Sequence, residues 1–73
     1  MPRLPLISSA RFCKILKKLG CKLDRIEGGH HIFVRDDLLR PLVVPTRKQL
    51  PVFIILNNLK TLGISRDEFI AEL

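Results

Sequence analysis

Glycine stands at three places in this chain, Gly20, the Gly28–Gly29 pair and Gly63, and each ends or interrupts a run of regular apolar spacing. That punctuation confines the fold to short elements. At 73 residues, folding buries only about 60% of the surface that an unfolded chain exposes, so the elements must share one core and residues 1–73 form a single domain.

Between Ser9 and Gly20, the residues Phe12, Ile15, Leu16 and Leu19 fall at i, i+3, i+4 and i+7, the stripe of an amphipathic helix of about three turns, with Lys14, Lys17 and Lys18 away from it. Ser8 or Ser9 can cap its start, and the lysines of its last turn suit the negative end of the helix dipole. After Gly20, "CKLDRIE" alternates as a strand does, with Cys21, Leu23 and Arg25 on one side and Lys22, Asp24 and Ile26 on the other. The glycine pair then reverses the chain. "HHIFVR" reads as a second strand, "DDLL" as a wider turn and "RPLVVP" as a third strand ended by Pro45, and such short connections make an antiparallel meander.

Helical spacing returns with Val52, Ile55, Leu56, Leu59 and Leu62, with Pro51 in the first turn and Gly63 closing the helix. Phe53 and Ile54 lie beyond that stripe, so this helix is apolar around more of its circumference than one buried face requires. Ser65 and Glu68 have the spacing of a capping box at the head of a short terminal helix carrying Phe69, Ile70 and Leu73. The expected architecture is α+β in two layers, α-β-β-β-α, a three-stranded antiparallel sheet with its helices on one face and the other face open.

Thirteen Lys and Arg against seven Asp and Glu leave a net charge of +6, which on so small a body makes polyanions the expected partners. No run approaches the ~18 apolar residues of a membrane span, and the N-terminal "MPRLPLISS" is too short in its apolar part and too rich in proline for a secretory leader. Cys13 and Cys21 have no further cysteines with which to build a disulfide framework, so reduced thiols and a cytoplasmic location are expected. Neither thiol has a flanking base that would make it a nucleophile.

The chain has two histidines, His30 and His31, directly after the glycines. Side chains alternate along a strand, so His31, Phe33 and Arg35 share one face and His30, Ile32 and Val34 the other. Ile32 and Val34 read as the core pair, which places His30 inward and His31 on the open face beside a ring able to stack on a base and a guanidinium able to hold a phosphate. Cleavage of RNA by its own 2′-hydroxyl needs one proton removed and one delivered, and histidine suits either transfer. Arg35, Arg47 or Lys48 would offset charge on the transition state, and Gly28 and Gly29 would let a phosphate backbone come close. A metal site is not expected, because adjacent histidines diverge on a strand and no further ligand stands at the usual spacing. An exposed histidine on a strand is also commonly an ordinary surface residue.

In their order and spacing, "LKKLGCKL", "GGHHIFVR", "LVVPTRKQL" and "LKTLGISRDEFIAEL" resemble the HicA, or YcfA-like, family of toxins over nearly the whole chain. The resemblance implies a fold like the double-stranded RNA-binding domain and an mRNA interferase that stops translation; no metal or cofactor is expected, because transesterification through the 2′-hydroxyl supplies its own nucleophile. It also implies a HicB-type antitoxin as protein partner. The family's catalytic histidine, in a Gly-Ser-x-His segment, corresponds to His31; Gly29 stands where the family usually has Ser, and Arg47 where many members have His. Two further expectations stand beside these: a non-catalytic RNA-binding module with the same fold, and a homodimer or antitoxin contact through the apolar second helix unless the terminal helix covers it through Phe69.

Overall fold

The apolar stripe of the first segment becomes the buried face of α1 (Ser9–Lys18), with Phe12, Ile15 and Leu16 buried and Ser9 buried in its first turn. Ser8 is the N-cap, its hydroxyl accepting the Arg11 N–H. The computed structural model describes residue 4 and residues 6–73; Pro2 and Pro5, on which the argument against a secretory leader leaned, lie outside the described residues. Strands β1 (Lys22–Glu27), β2 (His30–Val34) and β3 (Leu42–Pro45) follow, then α2 (Val52–Leu62) and α3 (Arg66–Ala71). The sheet is antiparallel in the order β1-β2-β3. Gly28 and Gly29 have φ of 56° and 77°, the pair of left-handed residues that a two-residue hairpin turn of the I′ kind requires.

Cross-strand register decides which face of the sheet is buried. Phe33 lies opposite Leu42 and His31 opposite Val44, and Phe33, Leu42 and Val44 are fully buried in one cluster with Phe12, Leu16 and Ile55. The helices therefore cover the face that carries His31 and Phe33. This is the reverse of the facing expected from the sequence, in which Ile32 and Val34 meet the core and His31 and Phe33 face out. β2 is apolar on both faces, so its own alternation does not choose between them; the paired residues of β3 do. Ile32 is still only 8% exposed, because on the open face it lies centrally between Arg25 and Val43.

A bulge between Leu23 and Arg25 shifts the phase of β1. Leu23 thus pairs with Phe33 and Ile26 with His31, which puts both on the helix side, where the simple alternation had separated them. The helix layer is thin over β1, and Ile26 remains 61% exposed.

On the other edge, Asn58 of α2, itself buried, donates its Nδ2–H to the outward carbonyl of Val43 at 3.3 Å. α2 buries Ile55, Asn58, Leu59 and Leu62 but leaves Val52 and Phe53 exposed. The capping box at Ser65 and Glu68 forms as expected. Phe69 of α3 packs edge-on against Phe12, with ring centroids 5.6 Å apart, so α3 contributes to the core while Phe53 stays uncovered at 63% exposure. Among the described residues no helix is long and apolar enough to cross a membrane.

Candidate functional site

His31 stands at the margin of the sheet, on the helix-covered face but half-buried because the cover ends there. The pairing of β2 and β3 continues one step past Pro45, since the Thr46 N–H donates to the Gly29 carbonyl at 2.9 Å. Thr46 thereby follows Leu42 and Val44 on the same face, and its Oγ1 lies 3.2 Å from His31 Nδ1. One ring nitrogen is thus held, while among the described residues none is hydrogen-bonded to Nε2.

The segment after Thr46 is anchored as firmly. The Arg47 N–H donates to Ser9 Oγ at 3.1 Å, and the Ser9 hydroxyl and N–H both donate to the Arg47 carbonyl, at 3.0 and 3.1 Å. A further bond from the Leu50 N–H to the Ile7 carbonyl, 2.8 Å, extends the attachment. The first turn of α1, with exposed Arg11, and the exposed Arg47 and Lys48 are thus brought to the end of the sheet where Gly28, Gly29 and His31 lie. Positive charge and the positive end of the α1 dipole gather on one rim.

Two residues expected at this site are elsewhere. Phe33 is 0% exposed, so it is a core residue and its ring is not available to stack on a base. Arg35 lies past the far end of β2, four residues or about 13 Å of strand from His31. Its Nη1–H donates to the Leu19 carbonyl at the end of α1, 2.7 Å, and its Nε and Nη2 donate to the Asp37 carboxylate. The Arg35 guanidinium holds the Asp37 carboxyl below its ordinary pKa, and Asp37 raises that of Arg35. Arg35 is therefore a clasp on the end of the helix, its guanidinium engaged by Asp37 and the Leu19 carbonyl.

Arg25 on the open face is paired with both Asp24 and Glu27, so that face is less basic than the net charge suggested. His30, expected inward, is exposed on that face, with Nδ1 3.0 Å from the Gly28 carbonyl. A carbonyl only accepts, so this nitrogen carries the proton. Burial raises the thiol pKa of both Cys13 and Cys21, which keeps them protonated at neutral pH. Among the described residues no three of His, Cys, Asp and Glu come together as metal ligands.

The family model described as the HicA toxin of bacterial toxin–antitoxin systems matches residues 9–64. The chain belongs to the HicA toxin family. No curated protein and no solved structure matches it. Membership gives this HicA chain the role of a toxin and implies an antitoxin partner, and its α-β-β-β-α order is the one the resemblance implied. The matched segment runs from the first residue of α1 to Ile64 and contains His31, Thr46, Arg47 and Ser9 together, leaving α3 outside.

Reading the sequence missed Thr46 and Ser9 in this HicA domain. The signal for Thr46 was the alternation Leu42, Val44, Thr46, two residues apart on one face, which becomes informative only once Leu42 and Val44 are known to face inward. A groove of about 960 Å³ also opens between α2, β3 and the 37–41 loop, lined by His30, Val43, Asn57, Asn58 and Lys60 among others. It reaches His30 and not His31. The exposed Arg11, Arg47 and Lys48 stand at the His31 margin and not in this groove.

Proposed function

We propose that this HicA-family toxin is a metal-independent endoribonuclease that cleaves messenger RNA and thereby halts translation, with His31 as its general acid or base. The single observation that carries this reading is the His31 ring: Nδ1 is held by Thr46 and Nε2 has no partner among the described residues, at a rim where Arg11, Arg47 and Lys48 are exposed. In the reaction the 2′-oxygen attacks the adjacent phosphorus as its proton leaves to a base. The bond from phosphorus to the 5′-oxygen breaks, and that oxygen keeps the electron pair and takes a proton, which yields a 2′,3′-cyclic phosphate and a 5′-hydroxyl end. His31 performs one of the two transfers through Nε2. Arg47 and Lys48 hold phosphates and offset the charge on the transition state, and the side-chain-free Gly28–Gly29 turn lets the RNA backbone approach.

The protein acts in the cytoplasm, and its partner is a HicB-type antitoxin. The test is cleavage of a labelled messenger RNA in EDTA by the parent and by His31→Ala, with RNA retention on a gel followed at several salt concentrations. The parent should cut and the variant should bind without cutting. Undiminished cleavage by His31→Ala sinks the reading, and salt-sensitive binding by a parent that never cuts favours a non-catalytic RNA-binding module instead.

A further inference from the structure

Resting on that reading of the reaction, the geometry points to Thr46 as the positioning residue that sets which nitrogen of His31 faces the RNA. A histidine acting as base must have a lone pair at the nitrogen nearest the substrate, and one acting as acid must be the imidazolium with a proton there. In both states with Nε2 outward, Nδ1 carries a hydrogen. A hydroxyl can donate or accept; with Nε2 outward and reactive, the Thr46 oxygen, 3.2 Å from Nδ1, is placed to accept the Nδ1 hydrogen both before and after the proton moves.

The backbone that carries this hydroxyl is tied down on both sides. The Thr46 N–H is bonded to the Gly29 carbonyl at 2.9 Å, which fixes residue 46 against the turn that starts β2. The next residue, Arg47, is bonded through its N–H and carbonyl to Ser9. The Thr46 side chain therefore has little freedom to swing away from the imidazole, and its β-branching restricts χ1 further. Among the described residues the partner of Nδ1 is a neutral hydroxyl, not a carboxylate, and it orients the ring without adding charge beside it. His30, whose Nδ1 meets a carbonyl at 3.0 Å, is oriented separately and faces the opposite side of the sheet.

The test compares Thr46→Val, which keeps the shape and removes the hydroxyl, with Thr46→Ser, which keeps the hydroxyl. Thr46→Val should lower kcat about 10²-fold, the scale of a small misplacement of a catalytic group, with RNA affinity unchanged. Thr46→Ser should recover most of that loss. Nitrogen-15 NMR of the imidazole should show the Nδ1–H form of His31 dominant in the parent and in Thr46→Ser, and reduced in Thr46→Val. In a His31→Ala background, Thr46→Val should have no further effect. If His31→Ala abolishes cleavage while Thr46→Val leaves both kcat and the tautomer unchanged, the role given to Thr46 is overturned and the catalytic reading stands. If His31→Ala cleaves normally, the catalytic reading fails and the role of Thr46 falls with it.

Discussion

Ser9 and Arg47 are 38 positions apart in the chain and hold one another through the Ser9 hydroxyl, the Ser9 N–H and both polar groups of the Arg47 backbone. Ser9 is buried, so removing its hydroxyl leaves the Arg47 N–H without its partner in a place water reaches poorly. Ser9→Ala should therefore cost about 1–3 kcal/mol of stability, measured by urea denaturation. Ser8→Ala, which removes only an exposed cap bond to the Arg11 N–H, should cost less, about 1 kcal/mol.

Phe33 belongs to the core, and its truncation should act on stability rather than on RNA binding. Phe33→Ala should cost about 3–5 kcal/mol, a large share of the roughly 5–15 kcal/mol that holds a domain folded. Phe33→Leu should fold and retain RNA with unchanged affinity on a gel. A loss of affinity in a fully folded Phe33→Leu protein would show the ring in contact with RNA after all.

The clasp of Arg35 on Asp37 predicts a pH dependence with a definite sign. The Asp37 carboxyl has a lower pKa folded than unfolded because Arg35 hydrogen-bonds its charged form. Its contribution to stability is therefore complete above the ordinary carboxylate pKa of about 4 and is lost as the pH falls through the lowered folded value. Urea midpoints at pH 7 and pH 3 should fall further for the parent than for Asp37→Asn, and equal falls would remove Asp37 from the account.

At Gly29, φ of 77° is a left-handed conformation that costs an ordinary residue about 1–2 kcal/mol. A side-chain carbon added there meets nothing within 4 Å, so the penalty comes from the backbone alone. Gly29→Ser should lower stability by that amount and Gly29→Asn by less, because asparagine tolerates this conformation better; thermal melting of the three proteins checks the order.

What could be read in advance divides according to how far apart in the chain the deciding residues lie. The α1 stripe of Phe12, Ile15 and Leu16, the capping box of Ser65 and Glu68 and the turn at Gly28–Gly29 are settled within a few residues, and all are present as expected. The facing of β2 is not local. Ile32, Phe33 and Val34 are all apolar, and only the pairing of Phe33 with Leu42 and of His31 with Val44 turns Phe33 inward. His31 thus remains the candidate for a different reason: it stands where the helix cover ends, not on the open face. The Arg35 contact with the Leu19 carbonyl is not legible in sequence, because a strand-end arginine looks the same whether it meets a phosphate or a carbonyl. Thr46 was missed because a polar residue after Pro45 reads as loop until the register sets it against Gly29.

The tie from Ser9 to Arg47 also makes assembly of the His31 margin wait on later residues. A ribosome releases α1 and the β1–β2 hairpin first, and those segments carry His31 but neither the hydroxyl beside its ring nor the backbone that anchors α1. A nascent chain has the imidazole early and its setting only after residues 46–50 are free to fold back onto the start of the domain. Truncated products that end before Thr46 therefore lack the assembled His31 margin, whatever their length.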